Sequence, residues 1–113
     1  MISGYQFGRI LIEGKAYRSD LKILGGKVLP DWWRKEGHEV APEDVEDILS
    51  AQPEILVVGM GEPGRMQVLE SLRSRLVQAN IQLLEEPTSK AVESFNRLTR
   101  EGRNVAGAFH LTC

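Results

Sequence analysis

Residues 54–65 read Glu54-Ile55-Leu56-Val57-Val58-Gly59-Met60-Gly61-Glu62-Pro63-Gly64-Arg65. After Glu54 the first half has no polar alternation, which predicts a strand covered on both faces, as in parallel sheets flanked by helices. The second half is a glycine-rich turn. Beyond it the apolar spacing Val68, Leu69, Leu72 and Leu76 predicts an amphipathic helix over about Arg65 to Asn80. Strand, glycine turn and helix in that order place a crevice for a ligand at the carboxyl end of the strand.

Working outward, Ile81 to Glu85 reads as a second covered strand. A helix carrying Ala91, Val92, Phe95 and Leu98 follows, with Thr88 as its N-cap and Gly102 as its C′ residue. Val105 to Thr112 closes the chain as a strand of small and apolar residues. On the other side, Pro42 with Glu43, Asp44 and Glu46 opens a short helix that Pro53 ends. The first third reads as β-structure: Phe7 to Ile12, Lys15 to Tyr17, Leu21 to Leu24 and Lys27 to Leu29. Glu13-Gly14, Ser19-Asp20 and Gly25-Gly26 are the turn signals between these runs. Helix-separated strands favour parallel pairing, so residues 1–113 are expected to form one α/β domain. Its three layers would be a mixed sheet, helices packed on it and an N-terminal β-layer.

The bulk numbers are those of an ordinary globular chain. It has 113 residues, 42% hydrophobic and 27% charged, which is enough for one core without disulfides or a structural metal. A net charge of −2 gives no global field for phosphate backbones, which argues against nucleic-acid binding. No window approaches the length of apolar chain that a membrane span needs. The N-terminal residues show neither a secretory nor a mitochondrial targeting pattern. With a single cysteine, Cys113, these features lead us to expect a cytoplasmic protein.

Gly59-x-Gly61-x-x-Gly64 has the spacing of a dinucleotide fingerprint, and Glu85 and Glu86 end the next strand where an acidic residue is wanted. Against that reading, Pro63 stiffens the turn, no second domain is available for a substrate, and the turn follows several strands instead of opening the fold. The alternatives are a plain tight turn, or a small anionic ligand held by backbone N–H groups and Arg65. If the two strands are neighbours, Gly59, Met60, Gly61, Arg65, Thr88 and Ser89 line one crevice. These six are the candidate ligand-binding residues.

Trp32-Trp33-Arg34 is the second candidate. Adjacent residues on an extended chain point to opposite sides, so one ring can enter the core while its neighbour cannot easily follow. The exposed ring would stack on Arg34 or anchor a partner; the other reading buries both rings. Trp32, Trp33, Arg34 and His38 are the candidate partner-binding residues. His38 and His110 are the only histidines. On a continuing strand, His110 and Cys113 face opposite sides, and neither a catalytic group nor a metal site is assigned to them.

The stretches Leu29-Pro30-Asp31-Trp32-Trp33-Arg34-Lys35-Glu36-Gly37-His38 and 96–113, with Val57-Val58-Gly59-Met60-Gly61 and Pro87-Thr88, carry a resemblance over essentially the whole chain. They resemble a small domain-of-unknown-function family. It includes the mitochondrial complex I assembly factor three and the adipogenesis-associated Mth-type domain protein. The resemblance implies a three-layer α/β domain with no established enzymatic activity, no cofactor, and, in the mitochondrial member, work through binding partners. The expected function is therefore a binding or assembly module using the crevice at Gly59–Arg65. Its partner is an unidentified protein or a small anionic ligand, with homo-oligomerisation left open. The alternative is a small-ligand or nucleotide-binding enzyme with acid/base chemistry from His38 or His110 in the same crevice. The absence of paired carboxylates, a triad or a metal-ligand cluster favours the module.

Overall fold

A computed structural model describes residues 1–113. The chain opens with an antiparallel sheet of β1 (Ile2–Gln6), β2 (Arg9–Ile12) and β3 (Lys15–Tyr17). The strand expected over Phe7 to Ile12 thus loses its first two residues to a turn and keeps Arg9–Ile12, while β1 lies outside the expected β-runs. Phe7 is exposed on a turn, and the Gly8 N–H donates to the Leu111 carbonyl, which ends β1 before β2 begins. β4 (Leu21–Leu24) and β5 (Lys27–Leu29) lie where the sequence puts them. Next come the two-residue β6 (Glu39–Val40), a 3-10 turn at Pro42–Val45 and α1 (Glu46–Ala51).

β7 (Ile55–Met60) runs two residues further than its apolar core, through Gly59 and Met60. A larger departure follows. Residues 65–69 are not helical: Gln67–Val68 form β8, parallel to β6, with Gln67 N–H donating to His38 O and Leu69 N–H to Val40 O. Helix α2 spans Glu70–Gln78, and Val68 is buried from a strand. β9 (Gln82–Glu86), α3 (Thr88–Arg100) and β10 (Val105–His110) complete the chain.

The main sheet has the order β5-β4-β10-β7-β9. β7 pairs in parallel with both β9 and β10, while β4 and β5 add an antiparallel flank. The period of two along β7 divides the interior. Leu56, Val58 and Met60 face a core shared with α1, α2 and Trp32, whereas Ile55 and Val57 face one shared with α3, β2 and β4. Each fully buried aliphatic side chain contributes about 1.5–3 kcal/mol relative to exposure. The result is three layers: α1 and α2, the mixed sheet, then α3 with the N-terminal β-sheet. The first-third strands therefore do two jobs, β4 and β5 extending the sheet while β1 and β2 cover one face.

Candidate functional site

α2 and α3 lie on opposite faces, so the loops after β7 and β9 diverge where ligands gather in α/β folds. Gly61 and Thr88 do meet there. Thr88 is wholly buried; its N–H donates to Gly61 O (3.1 Å), and its hydroxyl accepts from Gly61 N–H (2.9 Å) and donates to His110 O (2.6 Å). This is not the capping role expected of it. Pro87 is the N-cap, Thr88 is the first residue of α3, and its hydroxyl faces the sheet. The close approach depends on Gly59, where a Cβ would lie 3.0 Å from Thr88 Oγ1 and 3.0 Å from the Phe109 ring.

The first two N–H groups of α3, those of Thr88 and Ser89, are taken up within the chain. Glu62 Oε1 accepts from Ser89 N–H (2.8 Å) and from the Ser89 hydroxyl (2.6 Å), and these bonds hold its carboxyl below the usual range. Met60 is buried, and Arg65 is exposed beyond the loop. Of Glu85 and Glu86, the acidic residues the dinucleotide reading would use, Glu85 is paired with Arg73 at 2.7 Å. Because β8 intervenes, the glycine turn does not lead into a helix N-terminus, so the pyrophosphate cradle of that fingerprint is not formed.

A polar cluster at the same end of the sheet joins residues that the sequence leaves apart. Asp20, just before β4, receives His110 Nδ1 at 2.7 Å and Arg34 Nη2 at 2.9 Å on Oδ2, and Leu111 N–H at 2.8 Å on Oδ1. Burial pushes the Asp20 carboxyl up. The His110, Leu111 and Arg34 hydrogen bonds and the His110 charge outweigh it and hold the group below its ordinary 3.8. An ionised carboxylate only accepts, so His110 Nδ1 is a donor. The 3.4 Å approach of Arg34 Nη2 to that nitrogen then sets two donors side by side on one oxygen. Asp20 reads in the sequence only as part of a turn, and no local spacing links it to His110.

Arg34 fixes the tryptophan segment to this cluster. It also donates from Nε (3.1 Å) and Nη2 (2.7 Å) to Gly37 O, and it lies 4.6 Å over the Trp32 ring. Trp32 is 6% exposed, with Nε1 donating to Asp44 O (2.9 Å), while Trp33 is 85% exposed. Arg34 therefore stacks on the buried ring, not on the exposed one. Asp44 supplies an acceptor that the Trp32 indole can reach from inside the core. His38 sets its ring edge-on to His110, with centroids 5.7 Å apart. Trp32, Arg34 and His38 converge on the Asp20–His110 pair, and Trp33 projects from it. Between them opens a cleft of about 330 Å³ lined by Arg18, Asp20, Trp32, Trp33, Arg34 and Thr112. A larger depression of about 470 Å³, at Glu54, Ile81 and Arg103, lies at the opposite end of the parallel strands.

Fold and cluster together define the class: a three-layer α/β domain with a mixed sheet, clamped by polar contacts at the carboxyl ends of its parallel strands. The chain belongs to the family described as "Protein of unknown function (DUF498/DUF598)", whose model matches residues 2–110. It is similar to a conserved hypothetical protein of Pyrococcus horikoshii OT3, with 25% identity, 100% of this chain and 99% of that chain covered, and a TM-score of 0.83. It is similar also to the protein MT938, at 31% identity over 100% and 98% of the two chains, with a TM-score of 0.80. A Bordetella pertussis protein titled a Mth938-like domain shares the fold, at 18% identity over 98% and 85% of the chains and a TM-score of 0.66. No helix of the chain is long and apolar enough to cross a membrane.

Proposed function

We propose that this chain is a partner-binding module whose docking surface centres on Trp33. The observation that carries this reading is a fully presented indole on a pinned segment. Trp33 is 85% exposed, while Trp32 on one side is buried and Arg34 on the other is held by Asp20, Gly37 and the Trp32 ring. An aromatic side chain hides 150–250 Å² on burial, so an uncovered tryptophan forgoes about 4–6 kcal/mol of apolar stabilisation. Its rigid mount lowers the ordering cost when a partner covers it. What supports this over acid/base chemistry in the glycine crevice is that the crevice donors, Gly61 N–H and Ser89 N–H, are taken up by the chain itself. The glycine loop then serves to fix β10 and the cluster on which Trp33 is mounted. A cytoplasmic setting suits the free, exposed Cys113.

The test is affinity capture from a lysate with the wild-type chain and with Trp33→Ala. One or more proteins should be retained by the wild type and lost from the variant, with the two circular-dichroism spectra superimposable. Equal retention by both would overturn the reading.

A further inference from the structure

We propose that the segment docking on this surface is a basic peptide stretch of the partner, with an arginine or lysine set over the Trp33 ring. This rests on the module reading above and goes further by assigning the partner's chemistry. Two grooves continue the tryptophan surface on one side. The first, about 480 Å³, holds Trp33, Pro30, Asp31, Glu43, Asp44 and Asp47, with Lys22 as its one cation. The second, about 310 Å³, shares Glu43 and Asp44 and adds Glu36 and Glu39, with Lys35 as its one cation. Six carboxylates against two lysines leave this face at −4, on a chain whose formal total is −2. The remaining surface is therefore net positive, and the acidity lies on one side of the tryptophan, away from the cleft that Arg18 and Arg34 line.

These carboxylates are not all committed within the chain. Asp47 is paired with Lys22 at 2.9 Å, and Asp44 accepts from the backbone N–H groups of Ala41 and Lys35. Asp31 accepts only from the Ser19 hydroxyl, while Glu36, Glu39 and Glu43 are exposed and enter no ion pair. An exposed indole flanked by free carboxylates matches a guanidinium or ammonium on an apolar stem. The stem lies along the ring, the cation faces its π-cloud, and the neighbouring carboxylates neutralise it. An acidic segment or a nucleic-acid backbone meets like charge on the same face. Arg34 lines the adjoining cleft with its side chain 5% exposed, and its Nη1 hydrogens have no acceptor in the chain.

The experiment titrates the full chain with octa-arginine and, separately, with octa-glutamate, by calorimetry and by tryptophan emission. Octa-arginine should bind and change the emission of Trp33, weakening about tenfold between about 50 mM and about 300 mM salt. Octa-glutamate should not bind. Trp33→Ala, and the triple variant Glu36→Gln, Glu39→Gln and Glu43→Gln, should each weaken octa-arginine about tenfold. The inference is overturned if Trp33→Ala binds octa-arginine as the wild type does, if the triple variant does, or if octa-glutamate binds equally well. A Trp33-dependent dimer in sedimentation would overturn it also, by naming a second copy as the occupant. A protein captured through Trp33 but cross-linked to this face by a neutral or acidic segment would refute the basic peptide and leave the module reading standing. Capture indifferent to Trp33 would remove both.

Discussion

Nδ1 of His110, at the end of β10, lies 2.7 Å from Oδ2 of Asp20, ninety residues earlier and just before β4. The carboxylate also holds Arg34 and the Leu111 N–H, so one ionised group ties together three distant pieces of chain. Its folded-state pKa is depressed below 3.8, so its stabilising effect is complete above that value and is lost as pH falls below it. Asp20→Asn should cost about 2–3 kcal/mol at neutral pH, the range for charge-assisted hydrogen bonds. Urea midpoints measured from pH 7 to pH 3 check this. The wild-type value should drop on the acid side, and the two curves should approach each other there.

The two adjacent tryptophans should behave oppositely. Trp32→Ala removes a core ring, its hydrogen bond to Asp44 O and the surface on which Arg34 stacks, for about 3–5 kcal/mol. Trp33→Ala should change stability by less than about 0.5 kcal/mol, since the ring touches mainly water. Thermal unfolding of both variants measures the difference. A large loss in Trp33→Ala would mean that its ring is packed.

Where the sequence was legible, contacts were local or periodic. The unbroken apolar run at 55–58, the stripe Ala91, Val92, Phe95, Leu98 and the turns at Glu13-Gly14 and Gly25-Gly26 each carry their own signal, and each element is found. The stretch 65–69 misleads because Val68 and Leu69 continue the spacing of Leu72 and Leu76. Its hydrogen-bond partners, His38 and Val40, lie about thirty residues away and convert the expected first turn into β8. Thr88 has the composition of a cap, but its hydroxyl finds a better pair of partners across the sheet. The opposed directions of Trp32 and Trp33 follow from chain geometry alone; which ring goes inside depends on the Asp44 carbonyl and Arg34. The Asp20–His110 pair leaves no mark in the sequence, because neither spacing nor composition links positions 20 and 110.

Thr88→Val keeps the shape of the side chain and deletes its hydroxyl. Gly61 N–H then loses its acceptor in a buried setting, and His110 O loses a donor. The expected cost is about 1–3 kcal/mol, and Thr88→Ser should recover most of it. Chemical denaturation of the pair checks the energy. Hydrogen exchange at the Gly61 amide, faster in Thr88→Val alone, checks the cause.

Gly61→Ala tests the link between the glycine loop and the polar cluster. Gly61 has φ +94°, a conformation that strains any other residue. Its added Cβ would run into the Thr112 carbonyl oxygen and stand 2.8 Å from His110 Cδ2 and 3.3 Å from the Cys113 backbone. The Thr112 carbonyl accepts from Glu62 N–H, so the C-terminal residues cannot withdraw without breaking that bond. Strain and overpacking together should cost about 2–4 kcal/mol. Gly64→Ala, at φ +112° with nothing nearer than 3.9 Å, carries strain alone and should cost about 1–2 kcal/mol. Gly61→Ala crowds the His110 ring as well as the Thr112 carbonyl, and that ring holds Asp20. The double variant with Asp20→Asn should therefore lose less than the two single losses added, by at least about 0.5 kcal/mol. Additive losses in urea titrations would show that the loop and the cluster are energetically separate, with the glycines acting only on the C-terminal backbone.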